Sequence, residues 1–176
     1  MRQPRRHTLL PVVVITTLVA LSTTLVAANA LADGEEDDRV HYAVQNCASI
    51  KISLTQLQRS DSDMRAYLGN IFETTANNFI IPLNLRLVRN NINQPDLISE
   101  QSDYVAAKAQ FSSAYIRYAR SLEDLIKLNC RTNPDRFLTQ LDKTRENRAA
   151  VREQVERLQD MIRSHTERVE SLKGEL

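Results

Sequence analysis

The sequence predicts an all-α fold: an elongated, up-down-up antiparallel three-helix bundle or coiled coil behind an N-terminal signal segment. Three observations carry this. Apolar residues recur at alternating three- and four-residue steps, the pattern of a helix seam repeating about every 3.5 residues. Only three glycines and five prolines occur in 176 residues, too few for the turns of a β-sandwich or for low-complexity disorder. Two short turn-forming stretches interrupt the pattern, and short connections force antiparallel neighbours.

The chain begins with a basic region, Arg2, Arg5 and Arg6, followed by an uncharged, largely apolar run from Leu9 to Ala27. Ala30-Leu31-Ala32 places small residues where a signal peptidase reads them. This layout predicts a secretory signal peptide over residues 1–32. The alternative is an uncleaved anchor, since about 20 apolar residues span a bilayer. Pro11, the threonines within the run and the A-x-A site favour cleavage. Either way the remainder is extracytoplasmic: in the periplasm, on the cell surface or secreted. Removing residues 1–32 takes away three arginines and no acid, so the formal charge moves from +1 to −2. Such a mixed, slightly acidic chain lacks the basic face that nucleic-acid binding requires.

Residues 33–46 open with DGEEDD and read as an acidic leader of solvated carboxylates, suited to the positive end of a helix dipole. The bundle occupies residues 47–176, with helices expected at about 40–89, 96–129 and 134–174. Along the first helix the seam is Cys47, Ile50, Leu54, Leu57, Asp61, Met64, Leu68, Ile71 and Thr75. It then slips to Phe79, Leu83 and Leu87. Pro82 removes a backbone donor and should kink the helix there, and NNINQP at residues 90–95 ends it. The second seam is Tyr104, Lys108, Phe111, Tyr115, Tyr118, Leu122, Leu125 and Asn129. Asn133-Pro134-Asp135 then supplies an N-cap, a proline at the first helical position and an acid in the first turn. The third seam runs Phe137, Leu141, Thr144, Arg148, Val151, Val155, Leu158, Ile162, His165, Val169, Leu172 and Leu176. Charges of both signs lie between these positions, as on a solvated coiled-coil face.

Antiparallel packing places Cys47, at the start of the first helix, beside Cys130, at the end of the second. Export to a compartment where disulfides persist predicts a Cys47–Cys130 bond, against two buried thiols or an intermolecular link. The same register brings Asp61, Tyr115, Tyr118 and Arg148 to one level. A hydrogen-bonded polar layer that sets helix register is expected there; a small polar site between helices is the functional alternative. His165 and His41 have no H-E-x-x-H, C-x-x-C or Glu-x-x-His companions, so a capped or solvated role is expected and no metal site. Neither G-x-S-x-G nor a glycine-rich phosphate loop occurs. Catalytic residues, cofactors and metals are therefore all expected to be none.

C-x2-I-x3-L-x2-L from Cys47 to Leu57, Asp61 with Arg65, Pro82-Leu83-Asn84, Tyr104, Tyr118, Asn129-Cys130 and Phe137 follow one another in order. Over most of residues 47–162 this series resembles small uncharacterised exported helical proteins of candidate-phylum, Saccharibacteria-like bacteria. The resemblance implies an extracytoplasmic location and paired cysteines, and it implies no activity. The expected role is a non-enzymatic interaction or scaffold module of the cell envelope. Its partner would be another protein or a second copy, met through helix faces, with a membrane involved only if the N-terminal segment stays attached. The alternatives are a periplasmic holdase-like chaperone and a membrane-anchored coiled-coil stalk.

Overall fold

A computed structural model describes residues 27–175, with side chains described for residues 36–172. The described residues are all-α and contain no strand. The chain divides into two units, Met1–Asp37 and Asp38–Leu176. Of the first, the described part is the opening of α1 (Ala27–Gln45). The rest of the expected signal segment, residues 1–26, lies outside the described residues. No described helix is long and apolar enough to cross a membrane.

The DGEEDD stretch lies inside α1 rather than ahead of the first helix, which corrects the expected leader. The residues before it, AANALA, hold no proline or β-branched side chain, and alanine and leucine are among the strongest helix formers. The helix therefore does not wait for the apolar seam to begin.

In the second unit Asn46, with φ −99° and ψ 14°, separates α1 from α2 (Cys47–Thr74). A π-helical segment, Thr75–Ile80, joins α2 to α3 (Ile81–Arg89). The single first helix expected from about 40 to 89 is thus divided, and a count of three helices is too coarse. Pro82 explains the π segment. Its ring would collide with the carbonyl four residues earlier, and it has no N–H to donate. Widening the turn just ahead relieves both: the Ile81 N–H bonds to the Ala76 carbonyl, five residues back. One extra residue is absorbed in that turn, so the buried face rotates. Phe72, Ala76, Ile80, Asn84 and Leu87 point inward, whereas Phe79, expected on the seam, is 66% exposed and Ile80 only 2%.

α3 ends in a Schellman arrangement. Ile92 N–H reaches the Leu87 carbonyl at 2.9 Å and Asn91 N–H the Val88 carbonyl at 3.1 Å. Asn91 takes the left-handed position, φ 55°, which asparagine tolerates better than most residues. α4 (Pro95–Lys127) and α5 (Pro134–Glu175) follow. The turn between them is built on Asn129, whose Oδ1 accepts from Arg131 N–H at 2.9 Å and Thr132 N–H at 3.3 Å. Asn129 therefore shapes a turn and is not a seam residue, because α4 ends two residues before it.

α4 and α5 pack most extensively and run antiparallel. Cross-links climb one as they descend the other: Ser121 with Thr144, Gln110 with Arg157, and Glu100 with His165. The close approach comes from small residues at heptad spacing, Ala107, Ala114 and Ser121, which are 0%, 2% and 5% exposed. Interhelical distance follows the bulk of the side chains at the contact. The α2–α3 run lies antiparallel to α4, through Cys47–Cys130, Asp61–Tyr118 and Asn84 with Leu97. Buried side chains gather in two clusters. One surrounds Cys47, Leu54, Leu122, Leu125 and Phe137; the other surrounds Phe72, Ile80, Tyr104, Phe111 and Leu158.

Candidate functional site: a polar layer between two core clusters

No fully buried residue occurs on α2 between Leu54 and Phe72, or on α5 between Thr144 and Leu158. The polar residues of the expected layer fill that gap. Arg148 forks onto Asp61, with Nε donating to Oδ2 at 2.8 Å and the terminal nitrogen to Oδ1 at 3.0 Å. The Tyr118 hydroxyl donates to the same Oδ2 at 2.5 Å. One carboxylate from α2 thus ties a phenol of α4 to a guanidinium of α5. Tyr115 joins through its ring. It meets Tyr118 edge-on, with centroids 6.1 Å apart, and carries the Arg65 guanidinium 5.5 Å above its face.

Exposure is graded across the layer. Tyr118 is 2% exposed, while the side chains of Asp61 and Arg148 are 17% and 44% exposed. Burial opposes the charge on Asp61, but the hydrogen bonds from Arg148 and Tyr118 outweigh it and hold the carboxyl below the usual aspartate range. Burial, reinforced by the Asp61 carboxylate, drives the Tyr118 phenol well above the ordinary tyrosine value. Both groups stay in the forms the layer needs, an anion and a neutral donor, across the physiological range.

The disulfide joins Cys47 to Cys130 with a Cα–Cα distance of 5.6 Å, closing 83 residues of sequence. It lies in the cluster next to the layer, so staple and layer together fix the register of α2 against α4.

Other polar contacts escape a seam-based reading. His165 is buried, 9% exposed, with Nδ1 3.1 Å from a Glu100 oxygen. Arg168 also reaches Glu100, at 2.5 Å. Of the two expected roles, capped or solvated, His165 is thus held by a side-chain partner rather than solvated. Asn84, 4% exposed, donates to the Leu97 carbonyl and to Gln101 Oε1, each at 2.9 Å, and anchors α3 to the start of α4. Tyr104 donates to the Phe72 carbonyl at 3.2 Å, at the entrance to the π segment. Burial pushes its phenol up to about 12. Lys108, expected on the seam, pairs with Glu73 instead.

A cleft of about 420 Å³ opens beside the layer, between α2 and α5 with α4 as its floor. Met64 and Leu68 of α2 and Val151 and Val155 of α5 supply apolar walls, and Phe111 lies at the bottom. Arg65 and Arg152 stand at the rim with Arg148. Arg65 follows Asp61 by one turn and Arg152 follows Arg148 by one turn, so the spacing already placed them beside the layer. What the sequence did not reveal is that the helices stand apart here. Comparison with known proteins finds no matching family model, no matching curated protein and no matching solved structure.

Proposed function

We propose that the chain is an exported, non-enzymatic helical bundle that serves the cell envelope as an interaction or scaffold module. In this reading residues 1–32 direct export, and the three long helical runs form an up-down-up coiled coil that holds its faces in a fixed register. The observation that carries the proposal is the Cys47–Cys130 disulfide, which persists in oxidising compartments and is rare where glutathione keeps thiols reduced. The polar layer supports a structural role as well. Its carboxylate accepts from Arg148 and Tyr118, contacts that tie three helices together at one level. Partner contact would fall on the exposed side of α4, where Ile98, Val105 and Ile116 are each nearly half exposed at steps of seven and eleven residues.

Cell fractionation with N-terminal sequencing tests this. A mature form starting at Asp33, outside the cytoplasm and with its cysteines joined, is expected. A cytoplasmic protein with both thiols open to alkylation would overturn the proposal. Exposed Tyr67, Phe79, Leu85 and Val88 on the α2–α3 run favour a second reading, a holdase-like chaperone that grips unfolded clients. Light scattering separates the two: an assembly of several copies that suppresses client aggregation supports the chaperone, and an inert monomer does not.

A further inference from the structure

We propose that the cleft between α2 and α5 binds a free single-chain amphipathic anion, a carboxylate or similar head carried on a hydrocarbon tail. The site does not depend on the scaffold reading, since it rests on the cleft's own chemistry. Three features converge. First, the cleft falls where both helices lack fully buried residues, between the two core clusters. The helices cannot close over it, because closure would strip water from Arg65, Arg148 and Arg152 without supplying anions to replace it. Secondly, its volume of about 420 Å³ lies in the range of small-molecule sites, about 300–1,000 Å³, which combine apolar walls with a few placed polar groups. Met64, Leu68, Phe111, Val151 and Val155 give the apolar part.

Thirdly, the charge is unbalanced. Three guanidinium groups face one carboxylate, Asp61, which Arg148 and Tyr118 already satisfy. Among the described residues no carboxylate partners Arg65 or Arg152; Arg65 rests over the Tyr115 ring and is exposed. An anionic head between Arg65 and Arg152 would gain charge-assisted hydrogen bonds, with its tail lying on Phe111 and the valines. A cation or a bare hydrocarbon would gain only one half of this.

Calorimetric titration of the oxidised full-length chain with dodecanoate, kept below its micellar concentration, tests the site. One molecule per chain is expected to bind. Acetate, which has no tail, and dodecyltrimethylammonium, which has the wrong charge, should not. Vesicles containing phosphatidylglycerol distinguish a membrane headgroup from a free monomer, and only the monomer is expected to bind through the cleft. Met64→Glu places a carboxylate in the apolar wall and Arg152→Glu one at the rim, both at positions exposed enough to leave folding intact; circular dichroism checks this. Each should weaken dodecanoate binding by about tenfold or more, the size of one lost or reversed charge contact. Equal binding of the cationic detergent, capture by vesicles alone, or unchanged affinity in both folded variants would overturn the proposal.

Discussion

Arg148→Met, Asp61→Asn and the double variant, unfolded in urea with the disulfide intact, measure what the polar layer contributes. The pair lies between two regimes. An exposed ion pair contributes about 0.2–1 kcal/mol, whereas breaking a buried one from one side costs about 3–5 kcal/mol. Asp61 keeps 17% of its side-chain surface exposed and Arg148 44%, so neither limit applies. Loss of Arg148 leaves a carboxylate still held by Tyr118 and able to draw water from the adjacent cleft. That supports a cost of about 1–2 kcal/mol, close to one charge-assisted hydrogen bond. Asp61→Asn should cost about the same, because it removes the negative charge and turns one acceptor oxygen into an NH2 that cannot accept from Arg148. The double variant should lose less than the sum, leaving a coupling of about 1 kcal/mol. The slope of stability against urea should stay constant if only the native contact changes. A coupling within about 0.3 kcal/mol of zero, the scatter of independent sites, would refute the layer as a register-setting device.

The rotated face after the π segment predicts opposite results at neighbouring positions. Ile80→Ala should cost about 2–4 kcal/mol as a buried large-to-small change, and Phe79→Ser should stay within about 0.5 kcal/mol; the reverse order would place the seam back on Phe79. Gly69 sits within α2 with nothing within 4 Å of where a Cβ would go, so Gly69→Ala should raise stability by about 0.5–1 kcal/mol. Acid titration of the urea midpoint tests the lowered carboxyls Asp61, Glu73 and Asp142. Their folded values lie below the unfolded ones, so their stabilisation is complete above about pH 5 and fades as pH falls through the folded values. Asp61→Asn should flatten that decline. Tyr104 and Tyr118 are raised instead, so their contribution is complete below about pH 10 and is lost at higher pH.

Period and spacing carried the long helices and the level of the polar layer because each depends on counting along a regular element. Asp61, Tyr118 and Arg148 could be aligned from the ends of the helices, since the turn at residues 128–133 is short. The π segment could not be read in this way. TANNFI bears no local mark of a widened turn, and Pro82 announces a disturbance without saying how it is absorbed; the expected seam of Thr75, Phe79 and Leu83 is one residue short of the buried Ala76, Ile80 and Asn84. The tight seam of Ala107, Ala114 and Ser121 was also invisible, because hydrophobic periodicity weights large side chains while close approach depends on small ones. Arg65 and Arg152 had the right spacing. Their significance required the separation between α2 and α5, which is a property of packing rather than pattern.

Mass spectrometry of unreduced, proteolysed protein, alkylated at isolation to trap any free thiol, tests the central claim most directly. A covalent register and an oxidising location both rest on the same bond. One cross-linked peptide pair containing Cys47 and Cys130 is predicted, with neither cysteine alkylated before reduction and both alkylated after it. Two alkylated cysteines before reduction, or a link between chains, would contradict the staple, the register it sets and the extracytoplasmic placement drawn from it.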